Sequence, residues 1–226
     1  MIVTIDGPAG SGKSTVAREL ARRLGFEFLD TGAMYRVVAW ACLYRSVDMT
    51  QAAAAADVAK QVRIDLRDDR VWADGVDVTD AIRTPEVTQG ASIVATHPGV
   101  RREMVRQQRL LARGRNVVTE GRDQGTVAFP DADCKFFLTA APEERARRRY
   151  EELKRAGRGD LSFDEILMQI RERDQRDSQR ADSPLRPAPD AVIVDTTSLS
   201  IDEVVERLES HIRRRQTDAT TQPSTG

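Results

Sequence analysis

The sequence predicts an α/β protein in which helices flank a central parallel sheet of five strands. One observation is a glycine-rich segment at residues 7–15, which joins a short apolar run to a helical pattern. The other is the recurrence of short apolar runs, each followed by polar or turn residues and a helical pattern, at residues 2–5, 26–29, 117–120, 134–138 and 192–195. Strands that alternate with helices form a parallel sheet covered on both faces, and ligands bind at the carboxyl ends of its strands.

The glycine-rich segment has the spacing of a phosphate-binding loop (P-loop). Strand, glycine-rich turn, Lys-Ser and helix are the context in which this motif binds a nucleoside triphosphate. Glycine lets the backbone approach a polyphosphate and tolerates positive φ, and the backbone amides and the helix N-terminus point at the anion. We expect Lys13 at the β- and γ-phosphates and the Ser14 hydroxyl at Mg²⁺. The predicted nucleotide site comprises Gly7, Pro8, Ala9, Gly10, Ser11, Gly12, Lys13, Ser14 and Thr15.

Length and composition limit the classes of function. The 226 residues suit one domain, or a core with a substantial insertion. Apolar stretches fall short of the length of a membrane span, and the first strand begins at the N-terminus, so we expect neither a span nor a signal peptide. Cys42 and Cys134 lie in apolar surroundings and predict core thiols in a reducing cytoplasm. A formal net charge of −1 argues against a nucleic-acid binder.

The alternation of strands and helices is interrupted in the middle of the chain. Thr50 is expected to open an Ala-rich helix, and Thr84 and Pro85 to open another as its N-cap and first residue. Between them, period-two alternation predicts a small antiparallel meander at residues 62–66, 71–73 and 76–78. We therefore predict an inserted subdomain at residues 35–100, which overlaps the boundary of a core made of residues 1–34, 81–150 and 181–216.

A charged segment towards the C-terminus predicts a lid. A helical pattern over residues 142–156 ends at Gly157, and Gly159 follows, so we expect these glycines to act as hinges of a lid at residues 151–165. Two capping boxes, at residues 162–165 and 200–203, open the last two helices. Residues 217–226 carry no apolar pattern and are predicted to be disordered.

The P-loop indicates a ligand and not a reaction, because GTPases, motor ATPases, transporters and small-molecule kinases share it. A Ras-type GTPase needs an Asn-Lys-x-Asp motif to recognise guanine. The single asparagine of this chain, Asn116, precedes Val117 in a predicted strand, which excludes that class. A short chain with an insertion and a glycine-flanked charged segment is most typical of a kinase. A nucleotide-binding regulatory or scaffold protein without turnover is the alternative from another class, and the intact Lys13 and Ser14 disfavour it.

The arginines indicate the class of acceptor. A hydroxyl acceptor needs a base to take its proton, whereas a phosphate acceptor, with a second pKa near ~6, is already mostly dianionic at neutral pH and must be brought to ATP by cations. Arg173, Asp177 and Arg180 fall on one stripe of a predicted helix, with Arg176 beside it. We interpret this stripe as a phosphate-handling surface next to the lid. A solvated ladder of ion pairs is the alternative interpretation.

Six sequence blocks resemble those of bacterial-type cytidylate kinases, and they occur in the family's order. They are residues 4–8, 30–36, 83–87, 120–127, 129–132 and 172–180. The resemblance implies a P-loop nucleoside-monophosphate-kinase fold with a core, a short lid and an insertion, residues 35–100, that binds the monophosphate. It also implies the reaction ATP + CMP ⇌ ADP + CDP, with dCMP also used, in pyrimidine nucleotide metabolism. It implies a cytoplasmic monomer that acts on neither a nucleic-acid polymer nor a membrane. Another small P-loop kinase, acting on UMP and CMP together or on a hydroxyl metabolite, is the alternative.

The resemblance also assigns roles to individual residues. It implies that Asp177 contacts the sugar and that four arginines handle phosphates, namely Arg36, Arg122, Arg173 and Arg180. Direct in-line transfer is expected, in which Lys13 holds the ATP phosphates while Arg173 and Arg176 stabilise the moving phosphoryl group; these three are the predicted catalytic residues.

Three further residues are implied to recognise the cytosine ring: Ser92, Arg101 and Asp123. Cytosine carries an amino donor at N4 beside acceptors at N3 and O2. Asp123 can accept from N4, while Arg101 and Ser92 can donate to the acceptor edge. Uracil has a carbonyl in place of the amino group, which predicts a preference for CMP over UMP. A serine that simply lies on a helix surface is the alternative interpretation of Ser92.

Two positions depart from the commonest family pattern. Ser14 stands where family members often carry Gly, and it supplies the hydroxyl that faces Mg²⁺ in other P-loops. Glu120 stands where they often carry Asp, and it places a carboxylate at the end of a predicted strand. A water-mediated role near Mg²⁺ stays open for Glu120, and no firm role is assigned to it.

Overall fold

The computed structural model describes residues 1–67, 70–155, 157, 161–180 and 182–221. Its contacts divide the chain into two compact units, the first made of Met1–Phe28 with Arg115–Gly226 and the second of Leu29–Gly114. The strands are β1 (Ile2–Asp6), β2 (Glu27–Asp30), β3 (Ile64–Arg67), β4 (Arg70–Ala73), β5 (Val76–Asp77), β6 (Val117–Gly121), β7 (Cys134–Thr139) and β8 (Val192–Asp195). The helices are α1 (Lys13–Leu24), α2 (Thr31–Tyr44), α3 (Ala52–Gln61), α4 (Pro85–Val94), α5 (Pro98–Ala112), α6 (Pro142–Arg155), α7 (Phe163–Ser178) and α8 (Ile201–Thr221).

Five strands form one sheet in the order β2-β6-β1-β7-β8. In the central ladder β1 pairs in parallel with β6, with Ile2 opposite Val117 and Asp6 opposite Gly121. The pairings of β1 with β7 and of β7 with β8 are also parallel. The five predicted strands are therefore confirmed. The P-loop leaves the carboxyl end of the central strand, where ligands of α/β sheets bind.

The core of the first unit is apolar because β1 and β7 run through the middle of the sheet. Their side chains Val3, Ile5 and Phe136 are fully buried and pack with Leu20 of α1 and Leu208 of α8. Each buried side chain of this size stabilises the fold by about 2 kcal/mol. The result is a rigid support for the loop that follows β1.

Helix α7 packs on α6 through a smaller cluster. Ala146 of α6 is buried against Ile166 and Ile170 of α7. The predicted capping box opens α7, since Ser162 Oγ accepts from the Glu165 amide and the Glu165 side chain accepts from the Ser162 amide. Ser200 and Glu203 form the same reciprocal pair before α8. Both capping boxes are confirmed.

The described part of the second unit contains the meander and the helices α2, α3, α4 and α5. Strands β3, β4 and β5 pair in sequence as an antiparallel sheet, as predicted. Thr84 Oγ1 accepts from the Val87 amide at the start of α4, which confirms the predicted N-cap. Thr50 does not open α3, because Gln51 is the N-cap residue and Thr50 is held by the Asp48 carboxylate in the preceding turn.

The structure describes part of the C-terminal segment that was predicted to be disordered and part of the segment that was predicted to be a lid. Helix α8 continues to Thr221, five residues into the segment predicted to be disordered, and residues 222–226 lie outside the described residues. In the lid segment α6 ends at Arg155 and Gly157 has a φ of 67°. Gly159, the second predicted hinge, lies outside the described residues. Among the helices that the structure describes, none is long and apolar enough to span a membrane.

Candidate active site

Hydrogen bonds from side chains to its carbonyl oxygens stabilise the path of the P-loop. Pro8 O accepts from Lys13 Nζ at 2.7 Å and from Ser11 Oγ at 3.1 Å, and Ser11 O accepts from Thr196 Oγ1 at 3.2 Å. Ala9 O accepts from Arg145 Nη1 at 3.1 Å. Protein donors thus occupy the carbonyl oxygens, while the backbone amides before α1 are the groups that an anion needs.

Gly7 is the position in this loop where no other residue fits. Its φ is 146°, and a Cβ on it would lie 2.0 Å from the Leu138 carbonyl oxygen. A real Cβ never approaches backbone so closely, so any substitution would force β1 and β7 apart or unseat the loop. The loop's path therefore depends on this glycine.

Lys13 is buried, with 5% of its surface exposed. Burial and, to a smaller extent, the positive charges of Arg122 and Arg173 lower the pKa of its ammonium group to about 7, against the raising effect of Glu120 and Asp6. A polyanion bound beside Lys13 would restore its charge. The site is consequently more favourable for a polyphosphate than for any neutral ligand.

Ser14 and Glu120 provide adjoining oxygen atoms beside the P-loop. Ser14 Oγ donates to Glu120 Oε1 at 3.0 Å, and Glu120 lies in β6 next to the central strand. A hydroxyl and a carboxylate are hard oxygen donors of the kind that Mg²⁺ takes, with its other positions filled by water and substrate phosphates. The described residues contain no group of three or more His, Cys, Asp or Glu side chains able to enclose a metal by themselves. The donor set fits a cation that is bound jointly with a nucleotide.

The buried Asp177 lies between two half-buried arginines, Arg122 and Arg180, and these three residues are hereafter the arginine cluster. Arg122 Nε donates to Asp177 Oδ2 at 2.9 Å, and Arg180 donates to Asp177 Oδ1. Burial alone would raise the pKa of the Asp177 carboxyl, but the positive charges of Arg122, Arg180 and Arg173 outweigh it and hold the pKa below its usual value. The cluster carries more positive than negative charge and suits an anionic ligand.

The remaining predicted residues of the first unit divide into two groups. Arg173 lies close enough to Lys13 and Asp177 to act on the pKa of both. Asp123 is buried, with 5% of its surface exposed, directly after Arg122. Arg176 is exposed, and its Nε donates to the Glu172 carbonyl oxygen on the same helix. The structure brings Arg173 to the arginine cluster and leaves Arg176 on the solvent side of α7.

Three predicted residues belong to the second unit. Arg101 is buried on α5 and donates to the Ala95 carbonyl oxygen at 3.3 Å. Ser92 Oγ lies 3.5 Å from the Thr88 carbonyl oxygen one turn earlier on α4. Arg36 is half-buried on α2. Their assignment to the cytidine ligand stays a prediction.

The chain's similarity to known proteins agrees with this geometry. A family model described as cytidylate kinase matches residues 3–214. The chain belongs to the cytidylate kinase family. Its relatives include the cytidylate kinase of Desulfitobacterium hafniense (strain Y51), 51% identical over 211 residues that cover 92% of this chain and 90% of the relative. The cytidylate kinase of Solibacter usitatus (strain Ellin6076) is 50% identical over 219 residues, which cover 96% of this chain and 94% of that protein. The predicted enzyme class, (d)CMP kinase with ATP as co-substrate, is confirmed.

A solved structure of another P-loop kinase shares the fold. Shikimate kinase from Bacteroides thetaiotaomicron superposes with a TM-score of 0.51 at 15% identity, covering 94% of this chain and 98% of that chain. At this level of identity the likeness concerns the fold alone. The predicted fold class, a P-loop kinase with a five-stranded parallel sheet, is confirmed.

Asp6 is a site residue that the sequence reasoning did not single out. Its Oδ1 accepts from the Gln124 amide at 2.8 Å and its Oδ2 from the Gly125 amide at 2.7 Å. These amides begin a single π-helical turn, Gln124–Ala128, immediately after Asp123, and such turns are frequent at functional sites. Burial raises the pKa of Asp6 to about 6 against the lowering effect of both amides. The only signal in the sequence was a carboxylate directly before the P-loop.

Arg145 and Asp174 were also missed. Arg145 is 3% exposed in the described structure and forms a two-pronged ion pair with Asp174, with Nη1–Oδ1 at 3.0 Å and Nη2–Oδ2 at 2.6 Å. Both residues lie in strongly charged helices, where a sequence pattern cannot distinguish a buried arginine from a solvated one. Arg145 differs from the neighbouring arginines of α6 by its burial, and the half-buried Asp174 is identified only by its pair with Arg145.

Proposed function

We propose that this chain transfers the γ-phosphoryl group of ATP directly to the phosphate of CMP or dCMP, at a site built on the P-loop and the arginine cluster. The reaction class follows from membership of the cytidylate kinase family. The observation that supports this site is the buried Lys13 in a P-loop whose carbonyl groups are held by protein donors. The products are ADP and CDP or dCDP, and no covalent enzyme intermediate is needed.

The P-loop would bind the donor nucleotide. Its backbone amides and Lys13 would contact the β- and γ-phosphates of ATP. Ser14, with Glu120 beside it, would hold Mg²⁺, which when bound neutralises negative charge on the β- and γ-phosphate oxygens. Lys13 gains a full positive charge as the phosphates arrive, because its lowered pKa reflects burial beside other cations.

The arginine cluster would bind the acceptor phosphate. Two dianionic groups repel each other, so transfer requires cations positioned in advance. Arg122 and Arg180 are already oriented by Asp177, and Arg173 lies within electrostatic reach of Lys13. The resemblance adds Arg36 as a further phosphate ligand and Arg176 as a stabiliser of the moving group. Since no proton has to be removed from a phosphate dianion, the site needs no general base.

Base recognition would depend on Asp123, Arg101 and Ser92. An ionised Asp123 accepts a hydrogen bond from the cytosine amino group and repels the carbonyl oxygen of uracil. Its burial strengthens this discrimination, because water cannot screen the unfavourable contact with uracil. We propose that CMP and dCMP are phosphorylated far better than UMP.

A coupled assay of ADP release tests this function. The purified chain is given ATP and Mg²⁺ with CMP, dCMP, UMP, AMP or shikimate in parallel. We expect turnover with CMP and dCMP, and a kcat/KM with UMP lower by about 5- to 150-fold, since one good base contact discriminates by roughly 1–3 kcal/mol. Equal turnover of CMP and UMP would contradict the base-reading role, and turnover of shikimate alone would contradict the phosphate acceptor.

Two expectations concern the protein in the cell. We propose a cytoplasmic location, which the buried thiols Cys42 and Cys134 favour. A monomeric state follows from the resemblance and stays a prediction, which size-exclusion chromatography with light scattering can test.

A further inference from the structure

Arg145 sits at the junction of three parts of the first unit. It belongs to α6, and its Nε donates to the Ala140 carbonyl oxygen just before that helix at 2.9 Å. Its Nη1 donates to the Ala9 carbonyl oxygen in the P-loop, and Nη1 and Nη2 together engage Asp174 of α7. One buried guanidinium group therefore contacts the P-loop, α6 and α7 at once.

The contact with the P-loop is close and inflexible. A Cβ on Gly10 would lie 3.0 Å from Arg145 Cβ and 3.3 Å from the Arg145 carbonyl oxygen, so the loop lies directly on α6 at this point. Arg145 Nη1 then fixes the Ala9 carbonyl oxygen on the side of the loop that faces α6. A peptide plane whose carbonyl oxygen is fixed also has a fixed amide direction, and amide direction is what a P-loop uses to bind phosphate.

The contact with α7 fixes the helix that carries Arg173. Asp174 follows Arg173 directly, and a two-pronged arginine–carboxylate pair restricts rotation as well as distance. Turning α7 enough to move Arg173 would break both hydrogen bonds of the pair. The orientation of α7 is in this way coupled to the P-loop through one side chain.

A second ion pair joins the same two helices without touching the P-loop. Arg171 Nη2 lies 2.8 Å from Glu143 Oε1, and the two side chains are 60% and 56% exposed. The corresponding values for Arg145 and Asp174 are 4% and 24%. Surface pairs of this kind contribute little to stability or orientation, so Arg171–Glu143 serves as the matched control.

We propose that Arg145 and Asp174 are positioning residues that couple the amide direction of the P-loop to the placement of Arg173, so that the donor phosphates and the cation acting on them are aligned together. The proposal rests on the proposed roles of the P-loop and Arg173. Neither residue needs to contact a substrate. Misplacement of reacting groups by about 1 Å can cost about 100-fold in rate, so weakening the pair should reduce turnover out of proportion to any loss of stability.

The test compares four variants of the full chain by kcat, by the KM values for ATP and CMP, by direct calorimetric binding of ATP, and by thermal midpoint. They are Asp174→Asn, Arg145→Lys, Arg145→Met and the control Arg171→Gln. We expect Asp174→Asn to lower kcat about tenfold and to weaken ATP binding about threefold, with the KM for CMP changed less than twofold. We expect Arg145→Lys to recover part of the activity lost in Arg145→Met, because lysine can still donate to the Ala9 carbonyl oxygen. For Arg171→Gln we expect kcat, both KM values and the affinity for ATP to stay within twofold of those of the starting protein, with an unchanged thermal midpoint.

The coupling itself is tested by the double variant Arg145→Met with Asp174→Asn. If the two residues act as one unit, the kcat of the double variant equals, within twofold, the kcat of the less active single variant. Multiplicative effects would overturn the proposal, as would an Asp174→Asn protein with kcat and ATP binding equal to the Arg171→Gln control, whatever its thermal midpoint. Should Arg145→Met fail to fold, Asp174→Asn and Arg145→Lys decide the question by the same criteria. ATP binding is measured without CMP, so an error in the assignment of the acceptor would leave this readout intact.

Discussion

Helices α6 and α7 each carry arginine–carboxylate pairs on two sides, and the two sides differ in burial. On the inner side Arg122 and Arg180 meet Asp177, whose side chain is 4% exposed. On the outer side Arg147 lies between Glu144 and Glu151, and 54% of the Arg147 side chain is exposed. Both sides pair arginines with carboxylates, although on the inner side Arg122 comes from the segment after β6 and not from a helix. The difference lies in what surrounds them.

That difference determines what each set can do. An exposed pair is screened by water and contributes about 0–1 kcal/mol. A buried pair has lost its water, so removal of one partner leaves an uncompensated charge and costs about 3–5 kcal/mol. Arg122 and Arg180 are 18% and 15% exposed, and this partial loss of water strengthens their attraction for phosphate. The inner side is therefore expected to be sensitive to single substitutions and the outer side insensitive.

The largest effect is expected for Lys13→Ala. Lys13 is the buried cation of the P-loop, and loss of one preorganised charge of this kind lowers kcat by about 100- to 1,000-fold. The thermal midpoint should not fall, because the substitution also removes the cost of burying an ammonium group. Steady-state kinetics with ATP and CMP and a thermal melt measure both. Turnover near that of the starting protein would contradict the P-loop assignment.

A smaller but still large effect is expected for Asp177→Asn. The substitution keeps the shape of the side chain and removes the negative charge between Arg122 and Arg180. We expect the free energy of unfolding to fall by about 3 kcal/mol and the KM for CMP to rise. Chemical denaturation together with kinetics provides the check, and Glu151→Gln on the outer side of α6, where the carboxylate side chain is 48% exposed, is the matched control. Equal losses in the two variants would erase the distinction between the sides.

Asp123→Ala tests base reading beside the cluster. It removes one hydrogen-bond acceptor from a buried position, so we expect the KM for CMP to rise by about 10- to 100-fold, with a smaller change for UMP. The kcat with saturating CMP should change less. The ratio of kcat/KM for CMP to that for UMP is the decisive quantity, and a ratio that stays unchanged would rule out Asp123 as the discriminating group.

The pH dependence follows from the pKa of Lys13. Burial lowers this pKa to about 7, so the free enzyme loses the Lys13 charge as the pH rises through neutrality. We expect kcat/KM for ATP to fall on the alkaline side, by up to about tenfold per pH unit well above that pKa, because this parameter reports the free enzyme. The kcat should fall less, since bound phosphates raise the pKa again. A flat kcat/KM profile from pH 7 to 9 would contradict this.

The smallest effect is expected for Arg147→Ala. The side chain is exposed and its partners Glu144 and Glu151 are themselves solvated or shared with other cations. We expect a loss of about 0.5 kcal/mol or less in the free energy of unfolding and no change in kcat. Denaturation in low and high salt measures the first quantity. A loss above about 2 kcal/mol in the free energy of unfolding would show that the outer pairs stabilise the fold more than solvated ion pairs do.

The sheet could be predicted because its determinants are local. Apolar runs such as residues 134–138 and polar segments after them are visible in the sequence, and each predicted strand lies within two residues of the observed one. The helix caps at Thr84 and Ser162 could also be predicted from the sequence, because each needs only a side chain and an amide three residues apart. Strands and caps were predicted because each depends on residues that are close together in the sequence.

The roles of Asp6, Arg145 and Asp174 could not be predicted because they depend on distant contacts. Asp6 meets Gln124 across 118 positions of sequence, and Arg145 meets Ala9 across 136. Charged helices also conceal which arginine is buried. The stripe interpretation placed Arg173 and Arg180 near Asp177, as the structure has them, whereas Arg176 is exposed on α7 and its role at the site stays a prediction.

The most direct measurement is a crystal structure of the chain with CMP and a non-hydrolysable ATP analogue. We expect the guanidinium groups of Arg122 and Arg173 to lie within hydrogen-bond distance of phosphate oxygens, while Arg147 and Arg171 keep their exposed carboxylate partners Glu151 and Glu143. A structure in which Arg122 and Arg173 point into solvent, and the phosphates of both nucleotides are held by the outer arginines or by backbone alone, would contradict the proposed site.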